Sequence, residues 1–545
     1  MVKKLLLLFL CITNSMYSQN TVGNISITND AYDAFTLFTI HKKTYLINNC
    51  GNVINEWTSE FTPGNAVYLL PNGNLLRAGK KDGLSQINFG GTGGVVELFD
   101  WDGNLLWQYE HNTDDYRQHH DVYPMPNGNI LILAATIMTE AEAVQAGRDP
   151  NFIIDNKIYN EQIFEVEPTG TNGINVIWEW NIKDHLIQEF DNNKDNFGVV
   201  ADHPEKLDFN FLGYRNGDAN WLHVNSIQYN EVLDQIVISS RHMNEIWVID
   251  HSTTTAEASS DTGGTYGKGG DFLYRWGNPL AYDHGTIDDQ KLFGQHYPHV
   301  IPEGTPDAGK IILFNNGINR TPLFSQVDII NPPVTSPGVY DYTIGEAYGP
   351  EAPDYSYSDT TNDPSDFFSS FISGAQRLPN GNILICEGRE GRFFEINSND
   401  DIVWEYVNPV NNVDGGIANQ TEVAVNNLTF RAIKYARTYD AFVGRSITAG
   451  SPIEGNPDLS PCNNILGTSN VVVDYLKIYP NPVVDELTID IAKNIDKIEY
   501  YTISGKKIGE SKNTKIIDFS NTKPGIYILK IYTEKSVIFK KVIKK

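Results

Sequence analysis

The chain has 545 residues and a formal charge of −27 at pH 7, long enough for several domains with an ample core. So acidic a balance argues against nucleic acid as a partner, because phosphate binding needs clustered lysine and arginine. A surface of this charge serves solubility first.

Residues 1–19, MVKKLLLLFLCITNSMYSQ, join a basic start (Lys3, Lys4), an apolar run from Leu5 to Ile12 and small polar residues near Ser18. That is the pattern of a secretory signal peptide, too short to span a membrane. Leu8, Phe9 and Leu10 before Cys11 lack the small residues that lipid attachment requires. The mature chain then keeps Cys50, Cys386 and Cys462, an odd number at wide spacing and no disulfide framework.

Residues 35–57 read as two strands, TYLIN and VINEW, turning at Cys50, Gly51 and Asn52. From there one pattern repeats: a Pro-Asn-Gly turn, a β-rich run, a variable segment, and a strand ending in tryptophan. The turns are PNGNLLRAG (71–79), PNGNILILA (126–134) and PNGNILICEG (379–388). The closing strands are GNLLWQYEH (103–111), NVIWEWNI (175–182), GDFLYRWGN (270–278) and DIVWEYVNP (401–409). Asn-Gly between apolar runs is a strong hairpin signal, since both residues tolerate positive φ. Units of four short strands joined this way build a β-propeller. Five units begin near residues 65, 120, 223, 296 and 373, and a sixth forms by pairing 419–445 with 35–57, which joins both chain ends and removes the open edge. The expected fold is therefore all-β, with a six-bladed β-propeller over 20–450. Insertions fall at 138–160, 183–219 and 318–370. The last, rich in tyrosine (Tyr340, Tyr342, Tyr348, Tyr355, Tyr357), is either a wall for an aromatic substrate or a solvated surface loop.

One slot of the repeat carries the chemistry. His120 lies six positions before Pro126, His296 six before Pro302, and Ser373 six before Pro379; Asn65 before Pro71 and His223 before Tyr229 keep the same offset. In a closed repeat, equivalent slots face the common axis. A single histidine in a propeller is usually a hydrogen-bonded structural residue, but three in one phase, with Arg241 at the end of the strand QIVISSR, point to a functional ring. Neutral imidazoles serve as nucleophile, base or acid, and arginine offers a fixed fork to a tetrahedral oxyanion, unless it pairs with a carboxylate. Together they suit transfer of an anionic group. His119, His242, His284 and His299 lack this support and read as structural, while Asn65 and Ser373 also suit strand-end turns.

Residues 451–470, SPIEGNPDLSPCNNILGTSN, read as a linker. Beyond it the charge reverses: 476–545 hold 14 lysines against 8 acidic residues. Residues 471–545 alternate apolar and polar positions over several short strands, which predicts a small β-sandwich. In its YPNP start, ISGK turn and KPGIYILKI strand the tail resembles the C-terminal sorting domain of the type IX secretion system of Bacteroidetes. That resemblance implies passage through the periplasm, export to the medium or cell surface by the type IX machinery, and removal of the tail on the way.

The strings HHDVYPMPNGN, NWLHVNSIQYN with ISSRHMNEIWVID, FGQHYPHVI and ISGAQRLPNGNILICEGREGRFFEI, within about residues 35–445, resemble the bacterial arylsulfate sulfotransferases. These are six-bladed propellers that move a sulfuryl group from an aryl sulfate to a phenol, independently of the nucleotide donor PAPS. The resemblance implies that His296 is the nucleophile that becomes sulfated, that His120, His223 and Arg241 hold sulfate oxygens and move protons, and that Asn225 and Ser373 are secondary substrate contacts. No cofactor or metal is expected. No GxxxxGK[ST] phosphate loop is present, in keeping with transfer that needs no nucleotide. The expected partners are small-molecule aryl sulfates and phenols, with no nucleic acid and no integral membrane segment in the mature chain. Two other readings stay open: a hydrolase with histidine-bound metal, and a non-catalytic secreted propeller that captures an anion or glycan.

Overall fold

The computed structural model of the chain describes residues 20–83, 85–213, 217–359, 363–463, 476–491, 494–502, 506–533 and 536–545. The expected signal peptide, 1–19, lies outside the described residues. The chain divides into two compact units.

The larger unit holds six antiparallel sheets of four or five strands. Taken from the innermost strand outward, sheet one is Ala432–Ala436, Ala34–Ile40, Lys43–Asn48 and Val53–Thr58. Sheet two is Thr62–Leu69, Leu75–Lys80, Gly94–Phe99 and Leu105–Glu110; sheet three is Tyr116–Pro124, Ile130–Thr139, Lys157–Thr169 and Gly173–Asn181. Sheet four is Val224–Asn230, Gln235–Ser240, Glu245–Asp250 and Tyr274–Trp276; sheet five is His296–Val300, Ile311–Asn315, Gln326–Ile330 and Tyr355–Tyr357. Sheet six is Gly374–Arg377, Ile383–Glu387, Arg392–Ile396 and Ile402–Val407, to which Gly23–Ile27 adds a fifth, outer strand. The hairpins form where Asn-Gly permits them. Gly73, Gly128 and Gly381 sit at φ +88°, +92° and +93°. Before them, Asn72, Asn127 and Asn380 accept from the backbone N–H two residues on, at 2.9, 2.9 and 3.1 Å.

The closing tryptophans stitch each sheet to the next. The indole N–H of Trp57 donates to Asp100 O, Trp107 to Gly173 O, Trp180 to Gly270 O, Trp276 to Pro350 O and Trp404 to Asn49 O, all at 2.7–2.9 Å. Sheet five reaches sheet six through Tyr355, whose hydroxyl donates to Asp400 at 2.5 Å. These bonds lead from sheet one around to sheet six and back to sheet one, so the all-β unit is a closed propeller. Between the sheets lie apolar layers such as Ile312, Phe314, Ile329, Ile385 and Phe394, each such side chain contributing about 1.5–3 kcal/mol by burial.

The tyrosine-rich insertion belongs to this packing. Tyr340 stacks on Tyr274 at 4.8 Å and Tyr342 on Tyr348 at 4.4 Å, against the core between sheets four and five. Tyr357 packs on Phe367 and Phe394. Of the two readings of this insertion, neither the substrate wall nor the solvated loop describes these tyrosines.

Residues 451–462, expected within a linker, are laid against sheet one. Val53 N–H donates to Ser451 O at 3.1 Å, Asn52 and Pro452 form an isolated antiparallel bridge, Ile453 is buried, and Cys462 is disulfide-bonded to Cys50 across 412 residues of sequence. Cys386 is free and buried. The pair escapes a spacing rule because only ring closure brings residue 50 to residue 462. Cys462→Ser is expected to lower the stability of the larger unit by about 2–5 kcal/mol, read as a lower denaturant midpoint that reductant reproduces in the unmutated chain; equal midpoints with and without reductant would show that the bridge adds nothing.

The smaller unit carries the C-terminal tail as two sheets: Leu476–Tyr479, Glu486–Ile491 and Ile516–Asp518 in one, Lys507–Lys512, Ile495–Thr502, Gly525–Thr533 and Ser536–Lys544 in the other. Leu487, Ile489, Ile517, Ile498, Leu529 and Ile531 from both sheets share one buried core, the sandwich that period-two alternation predicts.

Candidate active site

The repeated slot is a bulge. His120 and His223 both have φ +48°, and Asn65 and Ser373 have +91° and +90°. Around His120 and His223 the ladder to the second strand shifts register. A left-handed residue inserted in a strand re-aims its side chain, and histidine and asparagine tolerate that conformation better than branched residues do. In sheet five the left-handed residue is Tyr297, at φ +56°, one position after His296, and the register shifts between His296 and His299. The equivalence read from sequence is thus displaced by one residue at His296.

The slots do converge. The His120 and His223 rings stand edge to face with centroids 4.7 Å apart. Phe430 lies 6.3 Å from His120 and 6.4 Å from His296, and Phe89 lies 6.0 Å from His120 and 5.7 Å from His223. Arg241 bears on all three imidazoles. Burial, and next the Arg241 charge, pull His296 down to about 3. His120 and His223 are held well below the usual range by burial first, then by neighbouring imidazoles and Arg241. All three are therefore neutral near pH 7, in a positive field suited to an anion.

Hydrogen bonds fix how each ring presents itself. Asn316 Nδ2 donates to Ser369 O at 2.7 Å and Ile372 O at 2.9 Å, which leaves Asn316 Oδ1 to accept from His296 Nδ1 at 2.7 Å. The lone pair of His296 is then on Nε2, where the Ile372 N–H donates at 3.2 Å. Ile372 itself is left-handed at φ +54°, a strained setting for a β-branched residue. Asn220 Nδ2 donates to His223 Nδ1 at 2.7 Å. Asn225 is buried and donates to Gln295 O at 2.8 Å. The Ser373 hydroxyl donates to Ser369 Oγ at 2.9 Å and accepts from Gly388 N–H at 3.0 Å. Both therefore brace neighbours of His296.

One step further along the inner strands lies a second buried layer. Arg431 pairs with Asp121 at 3.0 Å and donates to Tyr68 Oη at 2.7 Å, with its guanidinium 3.7 Å above the Tyr297 ring. Gln228 donates to Tyr68 Oη at 2.8 Å and Asp121 at 3.2 Å. Inner-strand residues of sheets two, three and five thus meet Arg431, which immediately precedes the inner strand of sheet one, and Gln228 of sheet four bonds two of them.

Sequence spacing does not reveal Asn316, Asn220, Ile372, Phe89 or Phe430, which reach the ring from second strands and loops. His119, read as structural, bonds directly to His120, Nδ1 to Nδ1 at 2.9 Å; the His-His doublet was the available signal. His242 lies with its ring 4.7 Å from that of His223 and its Nδ1 2.8 Å from Asn220 O. His284 Nε2 bonds Ala201 O, and His299 Nδ1 bonds Tyr297 O.

Comparison with curated proteins gives no match. Solved structures similar to the chain include a protein of unknown function from Bacteroides caccae (12% identity, 74% of this chain and 98% of that one, TM-score 0.38) and a protein from Lactobacillus plantarum (9%, 74% and 99%, TM-score 0.38). Virginiamycin B lyase from Staphylococcus aureus is another (13%, 71% and 88%, TM-score 0.31). Among the described residues no helix is long and apolar enough to cross a membrane. Residues 477–545 match the secretion system C-terminal sorting domain, which directs the chain to secretion or the cell surface. Residues 16–431, the span that contains the histidine ring and Arg431, match the Arylsulfotransferase (ASST) family, to which this chain belongs.

Proposed function

We propose that the protein moves a sulfuryl group from an aryl sulfate to a phenolic acceptor, without PAPS, through a sulfohistidine at His296. The observation that carries this reading is the Asn316 bond, which holds the proton of His296 on Nδ1 and leaves the lone pair on Nε2 of a ring that feels the Arg241 charge. In the first half-reaction Nε2 attacks sulfur and the bond from sulfur to the aryl oxygen breaks; in the second the acceptor oxygen takes the group from Nε2. Arg241 and His223 hold the sulfate oxygens, His120 handles the phenolic proton, and Asn225 and Ser373 keep the surroundings of His296 in place. The Ile372 N–H must turn aside as sulfur arrives, and the strained backbone there is the segment that yields. Sulfuryl transfer is close in character to phosphoryl transfer, where positioning and charge stabilisation dominate.

Among the described residues no group of three or more His, Cys, Asp or Glu side chains is arranged to hold a metal ion. The tail would present the folded enzyme to the type IX machinery and be removed on export.

Purified protein given 4-nitrophenyl sulfate alone should release a burst of about one nitrophenol per site, and continue only when phenol is added. Mass spectrometry should find one SO3 on the peptide holding His296. Binding of the aryl sulfate with neither burst nor label would leave a non-catalytic anion-binding propeller instead.

A further inference from the structure

Behind the ring stand two buried side chains to which the mechanism above gives no part. Glu161, on the third strand of sheet three, accepts from Val224 N–H with Oε1 at 3.0 Å and meets His119 Nε2 with Oε2 at 2.9 Å. His119, fully buried, meets His120 Nδ1 with its own Nδ1 at 2.9 Å. Phe89 packs edge-on against the His119 ring at 5.0 Å.

With Glu161 taken as the carboxylate and His119 as the uncharged imidazole, these contacts fix where each proton sits. An ionised carboxylate only accepts, so His119 Nε2 carries hydrogen. A neutral imidazole has one N–H, so His119 Nδ1 is a lone pair, and the proton between the two histidines belongs to His120 Nδ1. His120 Nε2 is then left as an acceptor. A Cβ built on Gly91 would lie 2.0 Å from that nitrogen and 2.3 and 2.4 Å from the two ring carbons beside it, at a backbone φ of +92°, so only glycine lets the chain pack over this end of the ring. His223 is set the opposite way, because Asn220 donates to its Nδ1 and its proton must be on Nε2. Two imidazoles 4.7 Å apart thus offer one acceptor and one donor.

We infer that Glu161 and His119 are positioning residues that lock His120 in the tautomer whose Nε2 takes the proton of the acceptor phenol. The inference rests on the sulfohistidine reading. In the second half-reaction the phenol O–H bond breaks and its proton goes to His120 Nε2. The oxygen pair forms the new O–S bond, and the S–Nε2 bond to His296 breaks with its electrons returning to nitrogen. Neutral phenol, sulfo-His296 and neutral His120 become aryl sulfate anion, neutral His296 and a His120 imidazolium. Glu161, acting through His119, stabilises that imidazolium. In the first half-reaction the same proton passes from His120 to the departing phenolate, and the cycle closes.

Glu161→Gln offers an amide N–H to His119 and reverses both tautomers, so His120 Nε2 becomes a donor. Turnover with phenol should fall on the order of 100-fold, the scale of lost general-base help. With a strongly acidic phenol, already ionised at the assay pH, the loss should shrink below tenfold, because no proton must be removed. Raising the pH past the pKa of ordinary phenol should recover rate in the same way. A merely structural fault would depress all acceptors alike, and that outcome, or an unchanged rate with phenol, overturns the inference. Should Glu161→Gln fold poorly by thermal melt, His119→Asn is measured across the same acceptor series and must show the same selective loss. Labelling of the unmutated enzyme by 4-nitrophenyl sulfate keeps the two failures apart: no label on His296 sinks the sulfohistidine, whereas normal label with a flat acceptor series sinks only the relay.

Discussion

His296→Asn is expected to remove both the donor burst and turnover, by roughly 10^4-fold or more, the scale on which loss of a covalent nucleophile is felt. The substitution isolates the chemistry. An asparagine amide can still donate to Asn316 Oδ1, which His296 Nδ1 now meets at 2.7 Å, so the buried acceptor keeps a partner and the fold should hold. What disappears is the second nitrogen. His120 keeps a lone pair on Nε2 but offers it from another place on the ring, so attack from it would require the sulfur centre to move, and His223 cannot attack, because Asn220 leaves its proton on Nε2. Burst amplitude, steady-state rate and the mass of the His296 peptide check this together. A variant that still turns over at full rate, or SO3 found on another histidine, ends the assignment.

Arg241→Ala should retain the nucleophile and lose about 100-fold in rate, as when an oxyanion donor is removed. Arg241 touches Ser370 O with one guanidinium nitrogen at 3.3 Å, and its charge bears on His120, His223 and His296. That same charge gives a second readout. Arg241 depresses the histidines, so its removal lets His296 rise from about 3 toward the ordinary range. Activity needs neutral His296, and the acid limb of the pH–rate profile should therefore move to higher pH in the variant. Arg241→Lys restores charge without the planar fork, so it should return the limb toward its original position and recover only part of the rate. An alanine variant with unchanged rate and unchanged acid limb would remove Arg241 from the transition state.

The strand arrangement and the convergence of the histidines were legible because both depend on local chemistry repeated at fixed spacing. Asn-Gly marks a hairpin wherever it falls between apolar runs, and His120 and His223 carry the same offset to the following turn. What spacing cannot encode is backbone handedness. The left-handed turn at His120 and His223 passes to Tyr297 in sheet five, a one-residue slip invisible in the string FGQHYPHVI. Nor can a single strand announce its partners: Asn316 and Glu161 lie 20 and 42 residues from the histidines they hold. Cys50 and Cys462 looked unrelated for the same reason, being 412 residues apart. The tyrosines of 340–357 misled in another way, because an aromatic ring that can wall a substrate can equally fill the gap between two sheets.

The innermost strand of sheet one is the last of its sheet in sequence, Ala432–Ala436, paired beside Ala34–Ile40. A nascent or partly translocated chain therefore carries an unsealed three-strand edge until some four hundred further residues have arrived. Closing so large a loop is slow, since its entropy is spent before any native contact returns it, and an unpaired edge in the meantime invites pairing with other chains. A chain released before residue 432 lacks the strand that seals the propeller, and the sorting tail begins beyond that strand, so only molecules that are almost fully made carry both.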